Sequence, residues 1–251
     1  MEKMIYAIVY VKRDPEKLSE LLSGFKGIAG AGLYSVLFSE IAAVVRDINR
    51  DGLIADRSTA IEYAGVIETL SQKFTLLPMR FGSVMESTDA IEKMIERNYP
   101  EIQQNLQKVD NKYEFGLKVL CDSEKLRSGL IAKSTAGTTT SVNPDAEIIK
   151  SVYRNWVDKK LKEHRLEELL LAHVDSVIAT IKGYLSALNA VTKFKKMLSE
   201  TTIIDAVFLL EKEQKDTVIK ITEDLQNQYP ELSFVLTGPW PPYSFVDFTV
   251  K

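Results

Sequence analysis

The sequence has few of the residues that form covalent links or hold metal ions. It contains one cysteine and two histidines. The single cysteine, Cys121, excludes an intramolecular disulfide and is typical of a protein in a reducing cytosol. His164 and His173 lie in a predicted helix at a spacing that puts them on opposite faces, so they do not share a metal. We therefore predict a cytoplasmic protein without a metal site.

The chain also has no strong charge of one sign. It carries 32 basic and 35 acidic residues, a net charge of -3, and no long block of like charge. A sequence-independent nucleic-acid binder is expected to show a basic stripe, and a polybasic membrane anchor a basic cluster. We therefore predict neither a nucleic acid nor a membrane as a partner.

Long apolar runs are missing as well. Spanning a bilayer takes about 20 consecutive apolar residues. The apolar part of the N-terminal region, Met4–Val11, is short and is followed by Lys12 and Arg13 with no small-residue cleavage site. This pattern predicts a buried first strand rather than a signal peptide or a membrane helix.

The sequence lacks the common catalytic and nucleotide-binding motifs. It contains no Walker loop, GxGxxG, GxSxG or HExxH pattern. The glycines between Gly24 and Gly32 follow a helix, which is the wrong context for a phosphate-binding loop. We predict that the protein is not an enzyme and needs no cofactor.

The first half of the chain predicts an α+β unit. Hydrophobic periodicity and turn residues give the order strand, helix, strand, strand, helix, strand and a final helix divided or kinked at Pro100. The expected ranges are Met4–Val11, Pro15–Leu22, Leu33–Phe38, Ile41–Val45, Arg57–Lys73, Phe74–Leu77 and Ser87–Val109.

The second half repeats the order strand, helix, strand, strand, helix, strand, which is that of ferredoxin-like folds. The expected ranges are Lys112–Cys121, Asp145–Leu188, Val191–Met197, Ile203–Leu210, Asp216–Gln228 and Leu232–Thr237. We predict an α+β protein of two domains, residues 1–110 and 111–251. The small polar residues of Ser134–Asn143 predict a flexible loop, near 127–144, inside the second domain.

Two segments are unusual enough to suggest binding. In Leu76–Val84 (LLPMRFGSV), Arg80 stands beside Phe81, either as a structural arginine with its stem on the core or as a binding residue. Leu236–Phe245 (LTGPWPPYSF) combines prolines with aromatic residues. It is either a tail pinned across the core or a docking surface for another protein. The candidate partner-binding residues are Arg80, Phe81, Pro239, Trp240, Pro241, Pro242, Tyr243 and Phe245.

These two segments, with the strand KYEFGLKV that begins at Lys112, resemble the gas vesicle L/F family in sequence, order and spacing. The chain departs from the family pattern between Leu126 and Glu147, where the Ser/Thr-rich loop lies. The resemblance implies an N-terminal α/β sandwich-like domain and a C-terminal domain of modified ferredoxin type. Members of this family are not known as enzymes.

The resemblance also implies a role in building gas vesicles. An accessory or minor structural protein of this family is expected to contact the small hydrophobic major shell protein, and other accessory gas vesicle proteins, early in assembly. It would then be found in the cytoplasm and at the gas vesicle shell. The alternative is a ligand-sensing regulatory protein, because ferredoxin-like sheets often bind small molecules.

Overall fold

A computed structural model describes residues 1–12, 15–25, 32–49, 56–122, 148–196 and 201–246. The predicted loop near 127–144 lies outside these ranges. The helices of the described part are α1 (Pro15–Ser23), α2 (Arg57–Lys73), α3 (Thr88–Arg97), α4 (Tyr99–Val109), α5 (Ile148–Ala187) and α6 (Lys215–Gln228). Its strands are β1 (Glu2–Tyr10), β2 (Tyr34–Phe38), β3 (Ile41–Ile48), β4 (Leu76–Pro78), β5 (Val84–Met85), β6 (Lys112–Cys121), β7 (Val191–Lys196), β8 (Thr202–Glu211) and β9 (Leu232–Trp240).

Capping residues explain where the helices of the first half begin. Asp56 accepts a hydrogen bond from the Thr59 N–H at 2.8 Å, and the Thr59 hydroxyl bonds back to the Asp56 backbone. This reciprocal arrangement satisfies N–H groups that have no partner inside the helix. The predicted helix of Ser87–Val109 is two helices, because Pro100 in the first turn of α4 has no N–H to continue α3.

The first sheet has the strand order β2-β3-β1-β4, and β5 also pairs with β1. β1 and β3 are antiparallel, with a register shift between Ile5 and Ala7. Both faces of this sheet are covered, since Met4 and Tyr6 join the core cluster with residues of α1 and α2 while Ile5 and Ile8 are buried as well. α3 contacts β2 and α4 contacts β4. This explains the uninterrupted apolar run of β1, which a sheet covered on one face would not need.

The second sheet has the strand order β7-β8-β6-β9. If the strands are numbered within each half of the chain, the two sheets have the same order of neighbouring strands: second, third, first, fourth. Both sheets are antiparallel, which confirms a protein of mixed helices and antiparallel sheets. The strands were predicted to within a few residues, except that β5 was not predicted and β9 continues through Pro239 to Trp240.

The chain forms two compact units. Unit 1 contains Met1–Phe115, Leu209–Glu213 and Gly238–Lys251, and unit 2 contains Gly116–Phe208 and Gln214–Thr237. Unit 1 therefore includes three segments of the second half of the sequence, residues 111–115, Leu209–Glu213 and Gly238–Lys251. Independent folding of residues 1–110 and 111–251 stays a prediction.

α5 is a continuous helix of 40 residues. The five-residue step between the apolar residues Leu161 and Leu166 predicts a bend, a break or a change of packing partner near Lys162–Arg165, and the helix does not break there. Its part His164–Ala187 is long and apolar enough to cross a membrane by length and composition alone, whereas no such segment was predicted from the sequence. Core helices of soluble proteins pass the same test. Within this part, Val174, Val177, Ile181 and Leu185 are buried at helical spacing. These four residues follow the stripe by which a helix packs on a core.

Candidate binding surface at the C-terminal segment

The proline-aromatic segment Pro239–Phe245, here called the strap, belongs entirely to unit 1. Its prolines Pro241 and Pro242 are buried, and Phe245 has no exposed surface. Tyr243–Phe245 forms one turn of 3-10 helix after Pro242. The prolines restrict the backbone and Phe245 fixes its end, so the path of the strap is set by packing inside unit 1.

The carboxylate of a buried glutamate anchors the C-terminal end of the strap. Glu114, in β6, is 6% exposed. Its two carboxylate oxygens accept bonds from the Ser244 backbone N–H at 2.7 Å and from the Ser244 hydroxyl at 2.6 Å. The Lys108 ammonium donates to the Phe245 carbonyl at 3.0 Å and lies over the Phe245 ring. Hydrogen bonds to charged groups are stronger than neutral ones, so these contacts fix Ser244 and Phe245 firmly.

Glycine is required where the chain enters the strap. Gly238 has φ +112, and the peptide bond between Gly238 and Pro239 is cis. A Cβ at this position would lie 2.8 Å from the Glu114 carbonyl oxygen and 3.2 Å from the Phe115 ring. A side chain here would meet both a strained φ and a backbone clash. β9 and β6 can approach this closely only because Gly238 has no side chain.

The strap exposes two large aromatic side chains although its backbone is anchored. Trp240 is 47% exposed and Tyr243 is 43% exposed. Burial of the rest of its phenol, followed by the Glu114 and Glu68 carboxylates, raises the pKa of Tyr243 to about 12. Tyr243 is therefore neutral at physiological pH and can donate a hydrogen bond. The strap combines the two interpretations of the sequence, since one side is pinned and the other is presented to solvent.

Tyr63 of α2 connects the two segments that the sequence singled out. Its ring stacks on Tyr6 at 4.6 Å between centroids and meets Phe81 edge to face at 5.2 Å. Burial raises its pKa well above the usual range, and the nearby Tyr243 contributes in the same direction. Phe81 and Tyr243 therefore both lie beside Tyr63, although they are far apart in sequence.

The Tyr63 hydroxyl also fixes the chain that carries Arg80. It lies 2.8 Å from the Ile5 carbonyl oxygen, 3.0 Å from that of Met79 and 3.2 Å from that of Arg80. The Arg80 carbonyl further accepts from the Ser83 N–H at 3.0 Å, and Gly82 has φ +84. Tyr63 and this turn hold the segment 79–83 in place.

Arg80 itself is exposed and Phe81 is half-buried. An exposed side chain at Arg80 does not support the interpretation as a structural arginine with its stem on the core. The neighbours Met79 and Leu77 are buried while the side chain of Arg80 turns out to solvent. Arg80 lies beyond the end of β4 at Pro78, and its carbonyl accepts the Ser83 N–H of the following turn, so its side chain stands where the chain leaves the sheet.

Sequence reasoning missed residues that position the strap and the chain around Arg80. Glu114, Lys108 and Tyr63 were not candidates. Glu114 had a visible signal, because it is the one acidic residue within the strand KYEFGLKVLC. Lys108 and Tyr63 had none, because each acts through a contact with a distant part of the chain. In the described part of the chain, no group of three or more His, Cys, Asp or Glu side chains is placed to hold a metal.

The fold and the anchored strap define an α+β protein with two antiparallel sheets and a solvent-facing aromatic pair. Two solved structures share this fold. Gas vesicle protein GvpF from an Anabaena species aligns with a TM-score of 0.74 at 18% identity, over 99% of this chain and 97% of that one. GvpF from Microcystis aeruginosa aligns with a TM-score of 0.74 at 18% identity, over 98% of this chain and 99% of that one.

Sequence comparison gives the family. Residues 3–247 match the family described as gas vesicle synthesis protein GvpL/GvpF, and the chain belongs to this family. Gas vesicle protein F1 of Halobacterium salinarum is 23% identical over 229 residues, which cover 90% of this chain and 86% of that protein. Gas vesicle protein F of a Streptomyces species is 24% identical over 212 residues, which cover 82% and 84%. The resemblance seen in the sequence is confirmed.

Proposed function

We propose that this gas vesicle protein is an accessory or minor structural component that binds the hydrophobic major shell protein and supports early assembly. The observation that carries the proposal is the strap, which is anchored through Glu114, Lys108 and Phe245 yet leaves Trp240 and Tyr243 nearly half exposed. Aromatic side chains held in place before binding lose little conformational entropy when a partner arrives. Trp and Tyr are also the residues most often found as binding hot spots.

The chemistry of the proposed partner supports this role. A very hydrophobic shell subunit exposes apolar surface before it is built into a shell, and such surface aggregates in water. A soluble partner with rigid aromatic contacts would cover part of it until assembly. Trp240 and Tyr243 offer apolar area together with polar groups that tolerate water when no partner is bound.

The same proposal includes a site of action and excludes catalysis. We place the protein in the cytoplasm and at the gas vesicle shell, acting by binding rather than by a chemical reaction and without a cofactor. Other accessory gas vesicle proteins are further candidate partners. Family membership supports these statements.

We also propose that the second half of the chain is a domain of modified ferredoxin type that folds on its own, as does the first. The element order and the shared strand order of the two sheets support this proposal. Expression of residues 1–110 and 111–251 as separate fragments tests it. Cooperative thermal melting of both fragments is the expected result.

A binding assay with matched variants tests the main proposal. The major shell protein is immobilised, and binding is measured for the full chain, Trp240→Ala, Tyr243→Ala and Leu37→Ala. Leu37 is a control of similar exposure, 48%, in strand β2 of the same unit. We expect the two strap variants to bind at least about 30-fold more weakly, as hot-spot truncation predicts. The Leu37 variant should bind like the unchanged protein.

Two results would count against the proposal. The first is no binding of the unchanged protein to the shell protein. The second is equal loss of binding in all three variants, which would indicate general destabilisation. Deletion of the gene followed by electron microscopy for vesicles then tests whether binding matters for assembly.

A further inference from the structure

The two edges of the second sheet differ in charge. The sheet ends in β7 on one side and β9 on the other. β7 (VTKFKK) contains Lys193, Lys195 and Lys196, whereas β9 (LSFVLTGPW) contains no charged residue in nine positions. Lysines on an edge strand discourage pairing with another chain, and a long uncharged edge permits it. β9 is therefore the edge of this sheet at which a further strand can pair.

A side chain shows which backbone groups of β9 point away from the sheet. The Gln226 amide of α6 donates to the Leu232 carbonyl at 2.7 Å and accepts from the Phe234 N–H at 3.1 Å. The inner side of β9 faces β6, so the groups that Gln226 reaches lie on the outer side. Gln226 thus makes two hydrogen bonds to backbone groups that a neighbouring strand would otherwise bond.

The alternation of a strand extends this assignment. The N–H and C=O of one residue point to the same side of an antiparallel strand, and those of the next residue to the other side. Residues 232 and 234 point outward, so 236 does as well. Besides the two groups that Gln226 bonds, the backbone groups that point outward are the Phe234 carbonyl and the N–H and carbonyl of Leu236. No side chain in the described ranges of the chain bonds to them.

We propose that the outer edge of β9, from Phe234 to Leu236, pairs with an extended apolar segment of the shell subunit. This inference rests on the proposed function and names the way in which the partner is held. Main-chain hydrogen bonds supply affinity in this mode, and flanking side chains select the partner. The flanking side chain here is that of Val235, which is 39% exposed. β9 has no charged side chain that could pair with a charge on an incoming strand. The occupant is therefore an uncharged strand.

A proline variant tests the outer edge without touching the inner one. Leu236→Pro removes the outward N–H, which is the position where an edge strand tolerates proline. We expect unchanged thermal melting and about tenfold weaker binding to the immobilised shell protein, because one main-chain bond is lost and the proline ring faces the incoming strand.

A lysine pair covers the case in which the proline variant does not fold. Val235→Lys places a charge beside the incoming strand, and Val191→Lys does the same on the opposite edge at 40% exposure. We expect weaker binding for the first and unchanged binding for the second. The pair tests the same edge with a substitution that both strands tolerate.

The outcomes separate this inference from the proposed function. If folded Leu236→Pro and Val235→Lys bind the shell protein normally while Trp240→Ala does not, the β9 inference is wrong and the proposed function stands. If light scattering shows that β9 variants convert a dimer to a monomer and leave shell binding unchanged, the occupant is a second copy and the inference is wrong. If the unchanged protein does not bind the shell protein, the proposed function fails first.

Discussion

The two sides of the strap differ in what surrounds them. On the inner side, Phe245 is fully buried and Ser244 is bonded to a buried carboxylate. On the outer side, Trp240 and Tyr243 keep 47% and 43% of their surface in water. The seven residues of the strap therefore contain both a stability element and an exposed aromatic pair. A segment that both stabilises the fold and presents a binding surface has an unusual sequence for both reasons. One mutant phenotype alone will not distinguish a loss of stability from a loss of binding.

The inner side is expected to give the largest effect. Phe245→Ala removes a fully buried ring and leaves a cavity, which typically costs about 3–5 kcal/mol. Chemical denaturation of the variant measures the free energy of unfolding. A loss below about 1 kcal/mol would mean that the strap is not packed as the structure describes.

The outer side is expected to act on binding more than on folding. Trp240→Ala and Tyr243→Ala should each weaken shell-protein binding by at least about 2 kcal/mol. Half-exposed rings contribute only part of the burial energy of a core residue, so each should lower the free energy of unfolding by no more than about 2 kcal/mol. Melting and binding are measured on the same samples. Core-like destabilisation with normal binding of the folded fraction would contradict the docking role.

The carboxylate between the two sides is expected to give an intermediate effect. Glu114→Gln keeps the size of the side chain but replaces the carboxylate that accepts two short hydrogen bonds from Ser244. We expect this change to lower the free energy of unfolding by about 1–3 kcal/mol. Ser244→Ala removes one of these bonds and should cost roughly half as much. Urea titration of the pair tests this order. Equal stability of Glu114→Gln and the unchanged protein would show that the carboxylate does not anchor the strap.

Arg80→Ala is expected to give the smallest effect. The side chain is exposed, and substitutions at exposed sites usually change stability by no more than about 0.5 kcal/mol. The chain at Arg80 is held through its carbonyl by Tyr63, which the substitution leaves intact. An unchanged melting curve with weaker shell binding would extend the aromatic surface to Arg80. A large loss of stability would restore the structural interpretation.

Local signals allowed most elements to be predicted from the sequence. α2 was predicted at Arg57–Lys73 because its apolar spacing is regular, and it begins after the cap Asp56. The division at Pro100 followed from the missing N–H of proline. By contrast, β9 was predicted to end at Thr237, because glycine and proline normally end a strand, yet it continues to Trp240. Close packing of Gly238 on Glu114 overrides that local preference.

The candidate site was only partly accessible to prediction. Trp240 and Tyr243 were candidates because prolines and aromatic residues are rare together. The two interpretations of Arg80 could not be separated, since apolar sequence neighbours do not fix whether a residue is buried or exposed. Tyr63 was counted neither as a core residue nor as a candidate, although it contacts Phe81 and lies near enough to Tyr243 to feel its charge. Contacts between distant parts of the chain decide these cases, and no alternation or spacing contains them.

The anchoring of the strap also has a consequence for the order in which the protein is made. Glu114 precedes Ser244 by 130 residues, and Lys108 precedes Phe245 by 137 residues. Synthesis proceeds from the N terminus at about 5–20 residues per second, so unit 1 waits several seconds for its last pieces. Until then the surface that Phe245 covers is open to water. A nascent chain of this protein is therefore expected to be prone to aggregation until the strap has been synthesised.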